Sequence, residues 1–315
     1  MPRHAFLPLS TYILKRVFFV APTLIGVCAL VFLIVHLIPG DPVDIMLGET
    51  AGRVDREKLR RELRLDQPLG KQLIAYFSNL SRGDLGISLH TKKPVAAEIL
   101  AHFPATLKLT FSSIFIALVF AIPAGIISAA KQYSLVDQAS LFLSLLAVSM
   151  PNFWLGPLLI LFFSIYLGWL PVSGSGSLAH IVLPAVTLGA SLSAILTRMT
   201  RASMLEALQE DYIRTARAKG LARWKVLLKH GLGNAFLPIV TISGLQFGAL
   251  LSGSIITETI FSWPGIGRLT IQAINSRDYP MVQGCVLFIS FCYVLVNFVT
   301  DIVYSFLDPR IRCGD

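Results

Sequence analysis

Six stretches of this chain carry almost no charge for about 20 residues each, the length an α-helix needs to cross a hydrocarbon core of about 30 Å. They are Val17–Ile38, Leu109–Ala130, Ala139–Leu167, Ile181–Thr200, Phe236–Thr257 and Met281–Phe306. A helix satisfies its backbone hydrogen bonds within itself, which lipid demands. The expected fold class is therefore an all-α integral membrane protein with six transmembrane helices. The composition agrees: 54% of the 315 residues are hydrophobic and 14% charged, with a mean hydropathy of +0.69. Pro151 and Pro157 interrupt the third run, so a kink or break is expected there. The first run follows Arg3, Lys15 and Arg16 as a signal peptide would. It is too long for one and ends in PGDP, so it reads as a retained span.

Lys and Arg in the short connections set the orientation. The N-terminal tail, Lys131, the dense series from Arg198 to Lys229, and Arg310 with Arg312 mark one side. The connection GWLPVSGSGSLAH on the other side has neither residue type. Both termini and a loop over about 201–235 are expected in the cytoplasm, with residues 39–106 outside. Leu69, Leu73, Phe77 and Leu80 fall on one helical stripe, and Glu57 can pair with Arg61, so the extracytoplasmic insertion between helices 1 and 2 is expected to be helical. The division is then 1–106, an N-terminal segment, and 107–315, a core of five spans. The formal charge of +9 punctuates apolar runs. That pattern suits topology signals and anionic membrane lipid rather than nucleic acid.

Chemical motifs are scarce. No phosphate-cradling G-x-x-x-x-G-K-[ST] and no H-E-x-x-H occur. The six histidines are scattered without i, i+4 spacing, and the four cysteines form neither a C-x-x-C pair nor a disulfide framework. VSGSG beside His180 offers no set of nucleophile, base and orienter. No catalytic, cofactor or metal site is expected. Polar groups within spans are costly in lipid and draw attention to themselves. Asn152, Ser243, Gln246 and Asn297 are candidates to line a path, with helix–helix hydrogen bonding as the alternative. His36, Glu258 and Asp301 lie near span ends, where headgroup contact explains them. Small residues recur four apart at Ala121, Gly125 and Ala129, at Gly189, Ser193 and Thr197, and at Gly244, Gly248 and Ser252. Such stripes let backbones approach closely.

The basic stretch EDYIRTARAKGLARWKVLLKHGLGNAFLP separates the fourth and fifth spans. Leu205, Leu208, Tyr212 and Ala216 make a helical stripe, and Gly220 after RAK has the place of a C′ glycine. A second short helix is expected from Ala222 to His230, with Leu221, Trp224 and Leu228 on one face. Two amphipathic helices meeting at a glycine bend fit a docking element for a cytoplasmic protein. A segment lying among headgroups is the alternative.

This stretch resembles the EAA loop of inner-membrane permeases of binding-protein-dependent ABC importers. HLIPGDP (36–42), LRLDQPL (63–69), GDLGIS (83–88), FPATLKLT (103–110), VSMPNFWLG (148–156), FSWPGIGR (261–268), RDYP (277–280) and LDPRIR (307–312) resemble the dipeptide, oligopeptide and nickel permease group. Arg214, Thr215 and Ala216 stand where the general loop has Glu-Ala-Ala. The resemblance implies a multi-pass inner-membrane subunit, not an enzyme, that forms half of a path for di- or oligopeptides. Nickel, a nickel chelate or glutathione is the alternative cargo. It implies a second homologous permease, two cytoplasmic ATPase subunits or domains that bind ATP and Mg, and an extracytoplasmic solute-binding protein. Tyr212, Arg214, Thr215, Ala216, Gly220, Trp224 and Leu228 are then the ATPase-coupling residues. An ungated channel needs no such loop, and an intramembrane enzyme lacks its catalytic set.

Overall fold

The computed structural model describes residues 66–307 throughout, together with Pro22–Leu33 and residues 18, 43, 52, 56, 57, 60 and 61; at 252, 253, 301 and 303–307 it describes the backbone alone. The expectations on His36, the side chain of Asp301, Arg310 and Arg312 lie outside these residues. So do the flanks of the first expected span, of which Pro22–Leu33 is seen as an apolar helix, α1.

Along the chain follow α2 (Leu69–Ser81), α3 (Val95–Ala130), α4 (Leu135–Ser149), α5 (Asn152–Leu159), α6 (Ala179–Gln209), α7 (Asp211–Ala218), α8 (Arg223–Lys225), α9 (Leu232–Gly253), α10 (Ile255–Ile260), α11 (Ile266–Asn275) and α12 (Tyr279–Leu307). Two π-helical segments intervene, Ile160–Tyr166 after α5 and Val226–Gly231 between α8 and α9. Among the described residues, four helices suffice by length and composition to cross a bilayer: Val95–Ala130, Ala179–Gln209, Arg223–Leu251 and Tyr279–Thr300. Leu135–Ser149 and Asn152–Tyr166, bent by 105°, make a fifth if they are one span.

The expected break falls at Pro151 and not at Pro157. Met150 is extended (φ −85°, ψ 115°), as the residue before a proline tends to be. Pro157 sits inside α5 without ending it. The helix of the second span starts at Val95 rather than Leu109 and tolerates Pro104 and Pro123. The fourth runs past Thr200 to Gln209. The fifth ends at Gly253, ahead of the expected Thr257, because the chain breaks at Ser254 into α10.

α3 and α6 form the centre, with α4, α9, α11 and α12 packed around them. The small-residue stripes explain the closeness. A Cβ on Gly125 would stand 2.5 Å from Thr200 Cβ, and one on Gly189 would stand 2.9 Å from the Ser113 carbonyl oxygen. Gly244 and Gly248 meet Thr300 and Tyr293 of α12 in the same way. Hydroxyls within these helices bond back to their own turns, as Thr110 to the Thr106 carbonyl (2.9 Å) and Thr187 to that of Leu183 (2.8 Å). Ala117, Ala121, Leu192, Leu196 and Ile239 fill the middle of the core. One end is closed by Val95, Ile99, Ile266, Leu269 and Met281. The other is closed by Ile126, Ala129, Met204 and Ala235. On α2 the inward positions are Leu73, Tyr76, Phe77 and Leu80, with Tyr76 against Phe32 of α1, while Leu69 is exposed.

Candidate functional site

The loop between α6 and α9 is built by local chemistry. Glu210, extended at ψ 151°, separates α6 from α7. Leu205 and Leu208 therefore belong to α6, and Tyr212 and Ala216 to a different helix. α7 ends in a Schellman motif: Gly220 N donates to the Arg217 carbonyl (3.0 Å) and Leu221 N to that of Ala216 (3.4 Å). Gly220 has φ +73°, the left-handed conformation expected of a C′ glycine. The second short helix is not separate. From Arg223 the chain stays helical through the π segment into α9, because nothing between Val226 and Gly231 stops it.

Packing sorts the expected loop residues into two sets. Ala216 is 5% exposed and joins Ile213 and Val226 in a small core that holds the bend closed. It is thus no part of an outward face. Sequence reading missed Ile213 and Val226, since two apolar residues in a basic loop carry no periodic signal of their own. Tyr212, Leu221, Trp224 and Leu228 point outward, Trp224 at 61% exposure. Exposed Arg214, Arg217, Lys219, Arg223, Lys225 and Lys229 surround them. Arg214 pairs with Asp211 at 3.3 Å, Thr215 Oγ1 donates to the Asp211 carbonyl at 3.1 Å, and Lys225 Nζ sits 5.4 Å from the Trp224 ring. An apolar cluster with a basic rim suits a protein-docking surface, and equally a segment lying among headgroups.

The candidate path residues are spread over three helices. Ser243 and Gln246 are half-buried on α9, and Asn297 is half-buried on α12, which packs against it. Ser243 Oγ donates to the Ile239 carbonyl at 2.7 Å, within its own helix. Asn152 opens α5, whose neighbours are α6 and α10.

Among the described residues, three buried carboxylates form joints that the sequence reading did not foresee. Glu258, fully buried, accepts from Thr106 Oγ1 (2.8 Å), Ser254 Oγ (3.0 Å) and Arg268 N (3.1 Å), so it ties α10 and α11 to α3. Its sequence position had suggested a headgroup contact instead. Asp278 accepts from Ser88 Oγ (2.5 Å) and the backbone N–H groups of Leu89 and His90, and caps α12 through Met281 N. GDLGIS and RDYP thus meet in one joint. Asp137 holds Arg201 in a two-pronged pair at 2.7 and 2.8 Å. The S-x-x-D spacing of Ser134 and Asp137 was a readable signal for that helix start, and Ser134 Oγ indeed caps Asp137 N at 3.3 Å. Among the described residues, no cluster of three or more metal-binding side chains occurs.

Residues 121–312 match the family described as binding-protein-dependent transport system inner membrane component, and residues 9–110 match the N-terminal model of that membrane component. The glutathione transport system permease protein GsiC of Escherichia coli O6:H1 (strain CFT073) is 47% identical over 301 residues, covering 96% of this chain and 98% of that protein. GsiC of Escherichia coli K12 and of Shigella dysenteriae serotype 1 are each 46% identical over the same shares. In fold, the chain is similar to the MetNI methionine ABC transporter in an inward-facing form, with a TM-score of 0.55 at 19% identity over 67% of this chain and 96% of that one. An amino acid ABC transporter gives a TM-score of 0.51 at 17% identity over 69% and 95%.

Proposed function

This chain belongs to the family of binding-protein-dependent inner-membrane transport components, and on that premise we propose that it carries glutathione. It is a multi-pass permease subunit of an ABC importer, a transport component that works with binding-protein and ATPase partners. Near-complete alignment with glutathione permeases at 46–47% identity is the observation that carries the substrate reading. It narrows the broader expectation of di- or oligopeptides, since glutathione is itself a γ-linked tripeptide.

The proposed assembly pairs this chain with a second homologous permease and two cytoplasmic ATPase subunits or domains, which bind ATP and Mg. The chain itself uses no cofactor. All six apolar runs cross the membrane, with residues 1–106 and 107–315 as the two segments and both termini in the cytoplasm. Gln246 and Asn297 on packed helices, with Ser243 and Asn152, line the path. Amide and hydroxyl groups suit a peptide-like solute, offering exchangeable hydrogen bonds rather than a fixed ligand cage. Tyr212, Leu221, Trp224 and Leu228 seat in a cleft of the ATPase. Arg214, Thr215 and the neighbouring basic side chains set the orientation of engagement. Gly220 and buried Ala216 keep the bend in shape.

Uptake of labelled glutathione by cells with and without this gene tests the substrate. Loss on deletion and return on complementation is the expected result. Unchanged glutathione uptake with lost growth on dipeptides would return the reading to peptides in general, and lost nickel-dependent enzyme activity would favour nickel.

A further inference from the structure

We propose that Asp137 and Arg201 form a clasp that makes the coupling loop and α4 move as one body. The inference rests on the coupling reading of the loop given above. The Asp137 side chain is 2% exposed, and both of its oxygens are occupied. Oδ1 accepts from Arg201 Nε and from Ser128 Oγ of α3, and Oδ2 from Arg201 Nη2 and from Tyr133 N (2.9 Å). Tyr133 has φ +64°, so the carboxylate also holds the α3–α4 turn in a conformation that a tyrosine adopts only at a cost. One side chain thus joins α3, the turn and α6.

Arg201 lies in the last part of α6, which passes through the extended Glu210 into α7, before the Gly220 bend. After the bend, Arg223 Nη2 donates to the Ala130 carbonyl, the last of α3, at 3.0 Å. The loop therefore grips the α3–α4 turn with one arginine from each of its arms. α4 packs on α6 and α3 along one narrow face, where Asp137 and Ser144 are its buried residues, and most of its remaining surface is exposed and apolar. The planar fork of Arg201 fixes direction as well as distance, which a lysine at that place cannot do. A displacement imposed on the loop passes through this fork to α4.

The test uses the full transporter in lipid vesicles, with the native cysteines replaced and spin labels at exposed Lys219 of the loop and exposed Leu145 of α4. In the parent chain the 219–145 distance should stay narrow, at rest and during ATP turnover. In Asp137→Asn it should stay narrow at rest and gain a second distance on ATP addition. Solute moved per ATP should fall by at least about fivefold, the lower range of coupling between sites. A distribution that stays narrow on ATP addition, or one that broadens equally with and without nucleotide, would overturn the clasp, the second marking a merely structural pair. If Asp137→Asn does not assemble, Arg201→Lys is read in its place, with the same two outcomes. Trp224→Ala separates the underlying reading. If that variant keeps its ATPase and its transport, the docking assignment fails while the distance result still decides the clasp.

Discussion

Glu258 shows how much one residue can organise in a lipid-bound bundle. Its carboxylate takes hydrogen bonds from two hydroxyls and a backbone N–H, and Thr106 Oγ1 in turn accepts from Ile266 N at 2.9 Å. Removing the acceptor strands buried donors, each at about 1–3 kcal/mol. Glu258→Ala is expected to lower the thermal midpoint of the detergent-purified complex clearly. Glu258→Gln should lower it less, because the amide keeps one acceptor for Arg268 N and can donate to the hydroxyls. Equal midpoints for the two variants would contradict this account. At Gly220 the reasoning differs, since a Cβ there would meet nothing within 4 Å and the cost lies in the backbone alone. A left-handed site costs an ordinary residue about 1–2 kcal/mol, and more a β-branched one. Gly220→Val is expected to assemble yet uncouple solute uptake from binding-protein-stimulated ATPase activity, while Gly220→Asn should behave close to the parent. Wild-type uptake and ATPase values in Gly220→Val would mean that the bend does not transmit.

At the scale of elements, the central contact of α3 with α6 depends on two glycines. A side chain at Gly189 would strike the Ser113 carbonyl, backbone that cannot swing aside. Overpacking of this kind costs about 1–3 kcal/mol. Gly189→Val should therefore reduce the yield and thermal midpoint of the folded subunit, whereas Gly233→Val, where a Cβ meets nothing within 4 Å, should leave both unchanged. The small-residue stripes, the proline break and the left-handed Gly220 were legible because each is a local rule written in a few neighbouring residues. The ends of helices were less so. Hydropathy marks where lipid begins, not where hydrogen bonding stops, so α3 and α6 run on beyond their apolar runs. The carboxylate joints were least legible. Asp137 and Arg201 lie 64 positions apart, and Ser88 and Asp278 lie 190 apart. Ser134 announced only the local half of the first joint, and composition announced nothing of its partner.

The whole molecule presents two different ends, and this is where the topology can be tested. One end carries the basic loop, the Arg201 clasp and the Ala130 turn. The other carries α11, the Glu258 joint and the Ser88–Asp278 joint, with α2 preceding its 83–94 segment. Lys and Arg crowd the first end, and such residues stay on the cytoplasmic side when they flank spans closely. Ser81, at the close of α2, and Ala222, just beyond the bend, are both exposed. The described native cysteines, Cys28, Cys285 and Cys292, are buried, so they are poor targets for a surface thiol reagent. In an otherwise cysteine-free chain, Ser81→Cys should react with an impermeant maleimide on intact cells, and Ala222→Cys only after the inner membrane is opened. Reaction of both from the outside, or of neither, would place the two ends on one side of the membrane. That outcome is incompatible with an odd number of crossings between them, which α3, the α4–α5 arm and α6 supply when the bent arm counts as one span.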